Sequence, residues 1–323
     1  MNVRFLALIA FFIAVSCEKL PDNLKDPSAT DKWTVYNSST GLPGNQVRGV
    51  FCDSKSNMWF AVSSKGVAKY SNGTWTYYKT SNSGLQSDGV TCINEDNDGN
   101  ILFGTVNGIS ILGTNNTWTN WHHPTLTLFI TSIQTDNSGN IWFGTSGQGF
   151  FVYDGTQITQ FNSEAFKTIN DIAKDPNGNM WLGTDNGLLK YDGHNFTVLT
   201  MSDGLPDNVV TALFSDSHNR LWIGTYFCTT VSWLDNKGIH QQSIFNGNKA
   251  LQMNDICEDA RGTIWFSTFN SGLIEFDGII PISHKKYNGL PEDDIIASSP
   301  DKDGNIWFGL YSKGLLKYSL PIN

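Results

Sequence analysis

Charged residues are scarce in this sequence, and basic residues are scarcer than acidic ones. Asp, Glu, Lys and Arg make up 16% of the 323 residues, whereas about 25% is usual in globular proteins. The 21 Lys and Arg residues are outnumbered by 30 Asp and Glu residues, which gives a net charge of -9. A nucleic-acid-binding protein needs a basic surface that displaces counterions from phosphates. The composition therefore argues against a nucleic-acid partner and against attraction to an anionic membrane surface.

Helical periodicity is also lacking, since no useful length of the chain repeats its apolar residues at helical spacing. The sequence is instead rich in aromatic residues, at 13%, and contains 31 glycines. A chain of this composition relies on aromatic burial and on many tight turns, which favours an all-β protein. Length alone leaves open one large domain or two ordinary ones.

The apolar run from Phe5 to Val15 is too short to span a bilayer as a helix, which takes about 20 residues. It follows Arg4 and has the proportions of a signal-peptide core. The AVSC ending at Cys17 resembles the lipobox of bacterial lipoproteins, with Ala14 where leucine is usual. The resemblance implies that residues 1–17 are a lipoprotein signal peptide and that Cys17 is lipidated, with a plain secretory signal as the alternative. Under either reading the mature protein leaves the cytoplasm. With a lipid at Cys17 as its membrane contact, we expect it in the cell envelope, facing the periplasm or the cell surface.

Cysteine is scarce as well. The mature chain would keep Cys52, Cys92, Cys228 and Cys257. A disulfide is possible in an oxidising compartment, but three of these residues lie in apolar, strand-like runs of different repeats and no CxxC spacing occurs. We therefore expect free, buried thiols. Residues 18–32 are polar and lack apolar periodicity, which predicts a flexible tether.

An internal repeat covers the rest of the chain. Segments such as GNIWFGT (139–145) and GNMWLGT (178–184) recur at intervals of 39 to 43 residues. The residues at the aligned position are Trp59, Leu102, Trp142, Trp181, Trp222, Trp265 and Trp307. Because each unit needs one large side chain at the same inward position, we expect the six tryptophans to be core residues.

Each unit has the pattern of four short strands. An apolar segment ending in Asp precedes the aligned strand, a turn rich in Asp, Asn and Gly joins them, and two further apolar runs usually follow. Four antiparallel strands at a period of about 40 residues are typical of propeller blades. The sequence therefore predicts an all-β, seven-bladed β-propeller of four-stranded antiparallel blades.

The last unit supplies only three strands before the chain stops. The segment WTVYN, Trp33–Asn37, has the wording of a fourth strand but stands ahead of the first unit. We predict that this N-terminal strand completes the C-terminal blade and closes the ring, since two partial blades would leave strand edges unpaired. The propeller then extends over residues 33–323 as a single domain.

The wording DxxGNIWFGT, GLxxYDG and DGLPxNxV resembles the two-component regulator propeller repeat from Trp33 to Leu320. In that family such propellers are the extracytoplasmic ligand-sensing part of hybrid histidine kinases. The sandwich, membrane helix and kinase that accompany them in the family are not among the 323 residues, so we expect a stand-alone input module. The resemblance implies a sensor-like lipoprotein that binds glycans or other small ligands.

In a four-stranded meander the second turn and the loop between blades share one face, called here the second face. The other two turns lie on the first face. Blades five to seven carry Tyr226, Phe227, Phe269 and Tyr311 at the second turn. Aromatic side chains on adjacent blades suit stacking on a sugar or another flat ligand. The alternative is that each packs against a neighbouring loop.

Two further candidates belong to the second face. Arg48 lies in an innermost strand, where it would either bind an anionic ligand or form a buried ion pair with Asp171 or Asp255. His122 and His123 are adjacent in the loop before blade three, but zinc needs three or four ligands and no partner cluster is visible. We predict a solvated histidine pair, no metal site and no cofactor.

No catalytic constellation is recognisable. Streptogramin lyases resemble the DGNxWF wording, but their repeats have Thr-Glu where this chain has Gly-Thr. Sialidases need an arginine triad, and the mature chain has only Arg48, Arg220 and Arg261, two of them in first-face turns. We expect a monomeric, non-enzymatic binder of a small molecule or a glycan. The alternatives are a protein-interaction scaffold for an envelope protein and a streptogramin-lyase-like enzyme.

Overall fold

Seven four-stranded antiparallel sheets form a closed ring, as the repeat predicts. The computed structural model describes residues 33–227, 229–243 and 251–319. The predicted signal peptide (1–17) with Cys17, the tether (18–32) and Cys228 lie outside the described residues. No helix in the described part of the chain is long and apolar enough to cross a membrane.

The strands follow one another blade by blade, from the innermost to the outermost in each sheet. The first strand is β1 (Trp33–Tyr36), which belongs to blade seven. Blade one contains β2 (Val47–Cys52), β3 (Met58–Val62), β4 (Gly66–Ser71) and β5 (Thr74–Tyr78). Blade two contains β6 (Val90–Glu95), β7 (Ile101–Thr105), β8 (Gly108–Leu112) and β9 (Trp118–Trp121). Blade three contains β10 (Ile130–Thr135), β11 (Ile141–Thr145), β12 (Phe150–Tyr153) and β13 (Ile158–Phe161).

The remaining blades repeat this order. Blade four contains β14 (Ile169–Lys174), β15 (Met180–Thr184), β16 (Gly187–Tyr191) and β17 (Phe196–Leu199). Blade five contains β18 (Val210–Ser215), β19 (Leu221–Thr225), β20 (Thr230–Asp235) and β21 (Gly238–Ser243). Blade six contains β22 (Gln252–Glu258), β23 (Ile264–Phe269), β24 (Leu273–Phe276) and β25 (Pro281–His284). Blade seven contains β26 (Ile295–Pro300), β27 (Ile306–Leu310) and β28 (Leu315–Tyr318). Short 3₁₀ turns occupy Glu164–Phe166, Met201–Asp203 and Lys286–Asn288 in loops between blades.

The core lies between neighbouring blades rather than at one centre. In β11 all five residues are buried, because both faces of this second strand are covered by adjacent sheets. Trp142 of blade three, for example, packs in one cluster with Met180 and Leu182 of blade four. The outermost strands are largely exposed, as in β17. The six aligned tryptophans are buried core residues, as predicted.

The turn between the first two strands is tied to the aligned tryptophan in the six blades that have one. Asp136 Oδ1 accepts hydrogen bonds from the amides of Ser138 and Asn140, both at 2.9 Å. Its Oδ2 accepts from Asn140 Nδ2 at 2.8 Å and from Trp142 Nε1 at 3.0 Å. The same indole bond, six residues along the chain, occurs at Asp53–Trp59, Asp175–Trp181, Asp216–Trp222, Asp259–Trp265 and Asp301–Trp307. The repeated Asp therefore orders the turn and also satisfies a buried donor.

Closure of the ring follows the prediction. Strand β1 pairs antiparallel with β28, with Trp33 opposite Tyr318 and Tyr36 opposite Leu315. The Trp33 ring lies 4.5 Å from the Tyr318 ring, centroid to centroid. Both ends of the propeller thus share one sheet and leave no open junction.

Side chains in the innermost strands connect one blade to the next. Thr131 Oγ1 donates to the carbonyl oxygen of Ile169 at 2.6 Å. Equivalent bonds run from Thr91 to Ile130, Asn170 to Val210, Thr211 to Met253 and Asn254 to Ile295. The equivalent positions at the two junctions that flank blade one hold Ile296 and Arg48. Close approach explains the glycine of the WFGT wording, because a Cβ on Gly144 would lie 2.6 Å from Ile169 Cγ2.

Candidate functional site

A central channel of about 340 Å³ is lined by the innermost strands of all seven blades. One residue of each strand lies at the same level near the second face: Arg48, Thr91, Thr131, Asn170, Thr211, Asn254 and Ile296. Five of the six polar members of this ring, all except Arg48, donate a hydrogen bond to the next blade. These hydrogen bonds hold the five side chains in place. The mouth of the channel is consequently polar and ordered.

Arg48 is exposed and lines the channel. Within residues 33–227, 229–243 and 251–319 it forms no ion pair with Asp171 or Asp255, so the buried pair considered from the sequence is absent there. The two carboxylates instead accept hydrogen bonds from neutral donors. The Arg48 guanidinium therefore remains directed to solvent and to whatever enters the channel, and its role in ligand binding stays a prediction.

Asp171 connects three blades below the channel mouth. Its Oδ1 accepts from Ser132 Oγ of blade three and from the Ile172 amide, both at 2.8 Å, and its Oδ2 accepts from the Leu213 amide of blade five at 2.8 Å. A β-bulge between Ile169 and Asp171 interrupts the strand ladder beside the Ile172 amide. Burial raises the pKa of Asp171 to about 6.

Asp255 has the same position in blade six. Its Oδ1 accepts from the Ile256 amide at 2.9 Å, and its Oδ2 accepts from the amide and the hydroxyl of Ser298 in blade seven. Burial, with a further contribution from the charge of Asp171, raises the pKa of Asp255 to about 7. Since these two carboxyl groups take up protons near neutral pH, the charge of the channel depends on pH.

The described cysteines Cys52, Cys92 and Cys257 are free, as expected, but only Cys257 is fully buried, whereas Cys52 and Cys92 are partly buried. Cys92 and Cys257 line the channel. Burial raises the pKa of Cys92 to about 12 and raises the pKa of Cys257 as well. Because the thiolate is the reactive form, these thiols are poor nucleophiles.

The predicted aromatic residues are exposed on the second face of blades five, six and seven. The exposed fractions are 40% for Tyr226, 64% for Phe227, 45% for Phe269 and 51% for Tyr311. They are therefore not packed away beneath neighbouring loops. Tyr226 and Phe227 form an edge-to-face pair with centroids 4.6 Å apart, and the described residues show no other ring contact within this set. The structure thus brings one pair together and places the other two rings on the next two blades.

Carboxylates of the loops between blades hold these turns in place, a feature that the sequence interpretation missed. The Phe227 amide donates to Asp207 Oδ2 at 3.2 Å. The Asn270 amide, next to Phe269, donates to Asp294 Oδ1 at 2.6 Å. The Ser312 amide, next to Tyr311, donates to a Glu292 carboxylate oxygen at 2.7 Å. The matching signal in the sequence is the acidic residues before the innermost strands of blades five and seven, Asp207, Glu292 and Asp294. Fixed turns lose little entropy when a ligand binds.

The two adjacent histidines differ in their surroundings. His123 Nδ1 accepts from the amides of Thr125 and Leu126 at 3.2 and 3.1 Å, so it shapes its own loop. His122 is exposed. Neither belongs to a group of metal-ligating side chains in the described part of the chain. Their assignment to ligand binding remains a prediction.

One cluster with metal-ligating residue types was missed in the sequence: Asp216, His218 and Glu258, on the first face. The Asp216 oxygens already accept from Trp222 Nε1 and from Arg220, whose Nε lies 2.6 Å from Oδ2. Glu258 accepts from both the amide and the hydroxyl of Ser217, a contact that Ser54 and Glu95 repeat between blades one and two. The cluster is therefore explained as a contact between turns.

Comparison with protein families bears on the same segments. Residues 84–107, 126–147, 163–186, 204–227, 249–270 and 289–312 match the two-component regulator propeller. The chain belongs to this family. Each match in this regulator propeller covers an inter-blade loop, the first two strands and the second turn. Blade one is not matched, and it carries Ser56 at φ 66° where blade two has Gly99.

Solved structures share the fold of this regulator propeller at low sequence identity. The extracellular domain of BT3049 from B. thetaiotaomicron, described as a hybrid two-component system, is 22% identical with a TM-score of 0.75 over 90% of this chain. This chain spans only 41% of that one. A streptogramin B lyase is 16% identical with a TM-score of 0.75 and is covered over 97% of its length. PorZ, a surface component of the type-IX secretion system of Porphyromonas gingivalis, is 14% identical with a TM-score of 0.67, over 88% of this chain and 47% of PorZ. No curated protein sequence matches the chain.

Proposed function

We propose that this regulator propeller is a non-enzymatic, sensor-like binding protein of the cell envelope that binds a glycan or another small polar ligand on its second face. The ligand would lie over the mouth of the central channel, between Arg48 and the aromatic turns of blades five to seven. Family membership and the fold shared with extracellular sensor domains support the sensor-like part of the proposal.

The observation that carries the proposal is the row of exposed rings on consecutive blades. Tyr226, Phe269 and Tyr311 occupy equivalent turns, and each turn is tied to a neighbouring carboxylate. Exposed, ordered aromatic rings next to a polar concavity are the usual composition of a carbohydrate site, since one side of a sugar is apolar and its hydroxyl groups need polar partners.

The chemistry of the channel supports binding rather than catalysis. Asp171 and Asp255 are engaged by backbone amides and serine hydroxyls, and the raised pKa values of the channel thiols disfavour a thiolate nucleophile. The streptogramin lyase shares the fold at 16% identity, and its activity does not carry over to these residues.

A thermal-shift screen with glycans and small polar molecules tests the proposal. We expect at least one compound to raise the melting temperature, and we expect the rise to disappear when Tyr226, Phe269 and Tyr311 are changed to Ala together. Arg48→Ala should weaken binding selectively for anionic compounds. Ile279→Ala and Ile280→Ala, two exposed residues on the first face, serve as matched controls. A compound whose effect survives the triple change would refute this site, and the absence of any stabilising compound would refute ligand binding on this face.

A scaffold for an envelope protein is the second candidate, supported by one apolar patch. Ile279, Ile280 and Ile282 are all exposed at the first-face turn and outermost strand of blade six. Exposed aliphatic residues that lie together are typical of protein interfaces. If this face binds a partner, Ile280→Asp should abolish the cross-link to that partner in cells, whereas the triple change on the second face should leave it intact.

Lipid anchoring at Cys17 completes the proposed function. The lipobox-like ending of the signal segment supports it, and the mature chain would then begin at that cysteine. Cys17→Ser should move the protein from the detergent-rich to the aqueous phase in a phase-partition assay. A chain that partitions into the aqueous phase before the change would count against the anchor.

A further inference from the structure

At six of the seven junctions between blades, the indole ring of the aligned tryptophan occupies an equivalent position, called here the indole station. In blade one the Trp59 ring lies 5.7 Å from Phe103 of blade two and 5.6 Å from Tyr78 of its own outermost strand, centroid to centroid. Lys69 Nζ lies 4.9 Å from the Trp59 centroid. The indole is thus enclosed by the next blade's Phe, by a ring from the fourth strand and by a side chain from the third strand.

Blade seven reproduces this arrangement. The Trp307 ring lies 5.4 Å from Phe60 and 5.2 Å from Tyr36, and Lys317 Nζ lies 5.0 Å from its centroid. In blade six, Trp265 has Phe308 at 5.7 Å and His284 at 5.5 Å. The indole station is therefore the same in these blades of the propeller, although the side chains around it differ.

Blade two lacks the tryptophan, because Leu102 stands at the aligned position. The strand registers identify the residues that would surround an indole there. Ile111 pairs with Leu102 as Lys69 pairs with Trp59. Trp121 corresponds to Tyr78, and Phe143 corresponds to Phe103. The enclosing groups are thus retained around a smaller central side chain.

A second aromatic station at this junction also holds a side chain smaller than the indole found at other junctions. At three other junctions it holds the rings of Trp118, Trp75 and Trp33, which contact the Phe of the second strand in their own blade at 5.6, 5.7 and 6.2 Å. The register places Ile158 at this station between blades two and three, opposite Tyr153. This junction therefore has aliphatic side chains where those three have two indoles.

A cavity of about 190 Å³ lies at this junction among the equivalents of the groups that surround Trp59, although Leu102 itself does not line it. Its walls include Ile111, Trp121, Phe143, Tyr153 and Ile158, and no charged side chain from the described part of the chain lines it. Trp121 and Phe143, which both line the cavity, contact each other with centroids 5.1 Å apart. Two exposed residues of the outermost strand of blade two complete the lining at the solvent side, Thr119 and Asn120.

The lining of the cavity suits an apolar ring better than it suits a water molecule. Asn120 Nδ2 already donates to the Gly84 carbonyl oxygen at 2.9 Å, and the Tyr153 hydroxyl donates to the Gly155 carbonyl oxygen at 2.8 Å. A buried water needs two to four polar partners, whereas an apolar cavity of about 150 Å³ is sufficient to bind benzene. Aromatic walls add favourable edge and stacking contacts.

We propose that the cavity between blades two and three is a binding site for a neutral, planar aromatic group of the size of one indole. The six indoles that the protein places at the equivalent stations are the template for this ligand. Ile111 supports a neutral ligand, because it replaces the lysine that covers the ring in blades one, four and seven. The site is separate from the second-face site and does not depend on it.

Titration with 5-fluoroindole, followed by ¹⁹F NMR on the full chain, tests the inference. We expect saturable binding to the unchanged protein. Leu102→Trp supplies the residue that the other blades have and should fill the cavity, so it should weaken binding at least about tenfold while the protein stays folded. Ile158→Trp fills the same space from the other blade and should have the same effect. Leu102→Ile, a swap of equal volume, should leave binding within about threefold.

Two results would overturn the inference. One is the absence of saturable binding by the unchanged protein. The other is binding that persists in both folded tryptophan variants, which would place the indole elsewhere. If Leu102→Trp does not fold, Ile111→Lys serves in its place, since it reintroduces the charge found in other blades at a partly exposed position. The triple change at Tyr226, Phe269 and Tyr311 should leave indole binding unaffected, so that the fate of the second-face site is read independently.

Discussion

At the scale of single residues, Asp171 shows how a charged group is used inside the channel. Its carboxylate bridges blades three, four and five through Ser132, Ile172 and Leu213. Three donors favour the ionised form, yet burial dominates and raises the pKa to about 6. The carboxyl group therefore contributes to the geometry of the ring at the expense of stability once it is ionised.

This balance predicts a specific pH dependence. The folded-state pKa of Asp171, about 6, lies above the ordinary value of 3.8, so the folded protein binds more protons than the unfolded chain between these values. The free energy of unfolding should therefore fall as pH rises from about 4 to about 6. Asp171→Asn removes this contribution and should flatten the dependence in urea denaturation at pH 4.5, 5.5, 6.5 and 7.5.

The matched control for this experiment is Asp154→Asn. Asp154 is an exposed turn residue whose pKa is lowered to about 2 by hydrogen bonds from Thr156 and Gln157, so it titrates below the chosen range. Its replacement should leave the slope unchanged. An Asp171→Asn protein with the slope of the unchanged protein would show that burial does not control this carboxyl group.

At the scale of elements, the turn between the first two strands, on the first face, makes a contact that the sequence did not predict. The DxxGN wording correctly predicts the turn, but it does not predict the hydrogen bond from the tryptophan six residues after the Asp. The constant spacing of Asp and Trp in six repeats was visible in the alignment. What the alignment lacks is the rotamer of the indole, which only the packing of the next blade determines.

The turns of blades two and three provide a matched pair of changes. Asp136 accepts from Asn140 and from the buried Trp142 Nε1, whereas Asp96 accepts from Asn100 and has Leu102 in place of the tryptophan. Asp136→Ala leaves a buried donor unpaired, a loss of about 1–3 kcal/mol beyond that of the turn itself. We expect Asp136→Ala to lower the free energy of unfolding by about that much more than Asp96→Ala in urea denaturation. Equal losses would mean that the indole bond contributes nothing.

Other elements show which structural features the sequence predicts and which it does not. The positions of the strands and of the second-face turns followed from periodicity and turn residues alone. The same alignment displayed Leu102, but the cavity at its junction with blade three depends on which residues of β8, β9 and β13 face one another, and this is a matter of strand register. Likewise, Arg48, Asp171 and Asp255 were correctly assigned to innermost strands, whereas the neutral donors to the two carboxylates come largely from neighbouring blades and depend on how those blades pack.

At the scale of the whole molecule, closure by β1 determines whether seven blades behave as one unit. The strand contributes Trp33 to the junction with blade six and Tyr36 to the junction with blade one. Without it, β28 becomes an exposed edge and two aromatic clusters lose a ring. Stability of the ring should therefore depend on four residues at one end of it.

A chain that begins at Thr40 should be less stable than one that begins at Asp31. Loss of the Trp33 and Tyr36 contacts together should lower the free energy of unfolding by at least about 3 kcal/mol. Calorimetric melting of the two chains measures the difference, and equal melting temperatures would contradict the role of β1. Trp33→Ala against Val35→Ala, an exposed residue of the same strand, separates the ring contacts from the backbone pairing.

The pairing of Trp33 with Tyr318 joins residues that are 285 positions apart. At synthesis rates of about 5–20 residues per second, the first strand is made about 15–60 s before its partner exists. During that interval WTVY is an unpaired apolar segment that must avoid pairing with the other blades' similar edges. The ring therefore cannot close before Tyr318 has been made, and any agent that binds this short segment early, such as a chaperone or a second copy of the chain, would compete with closure.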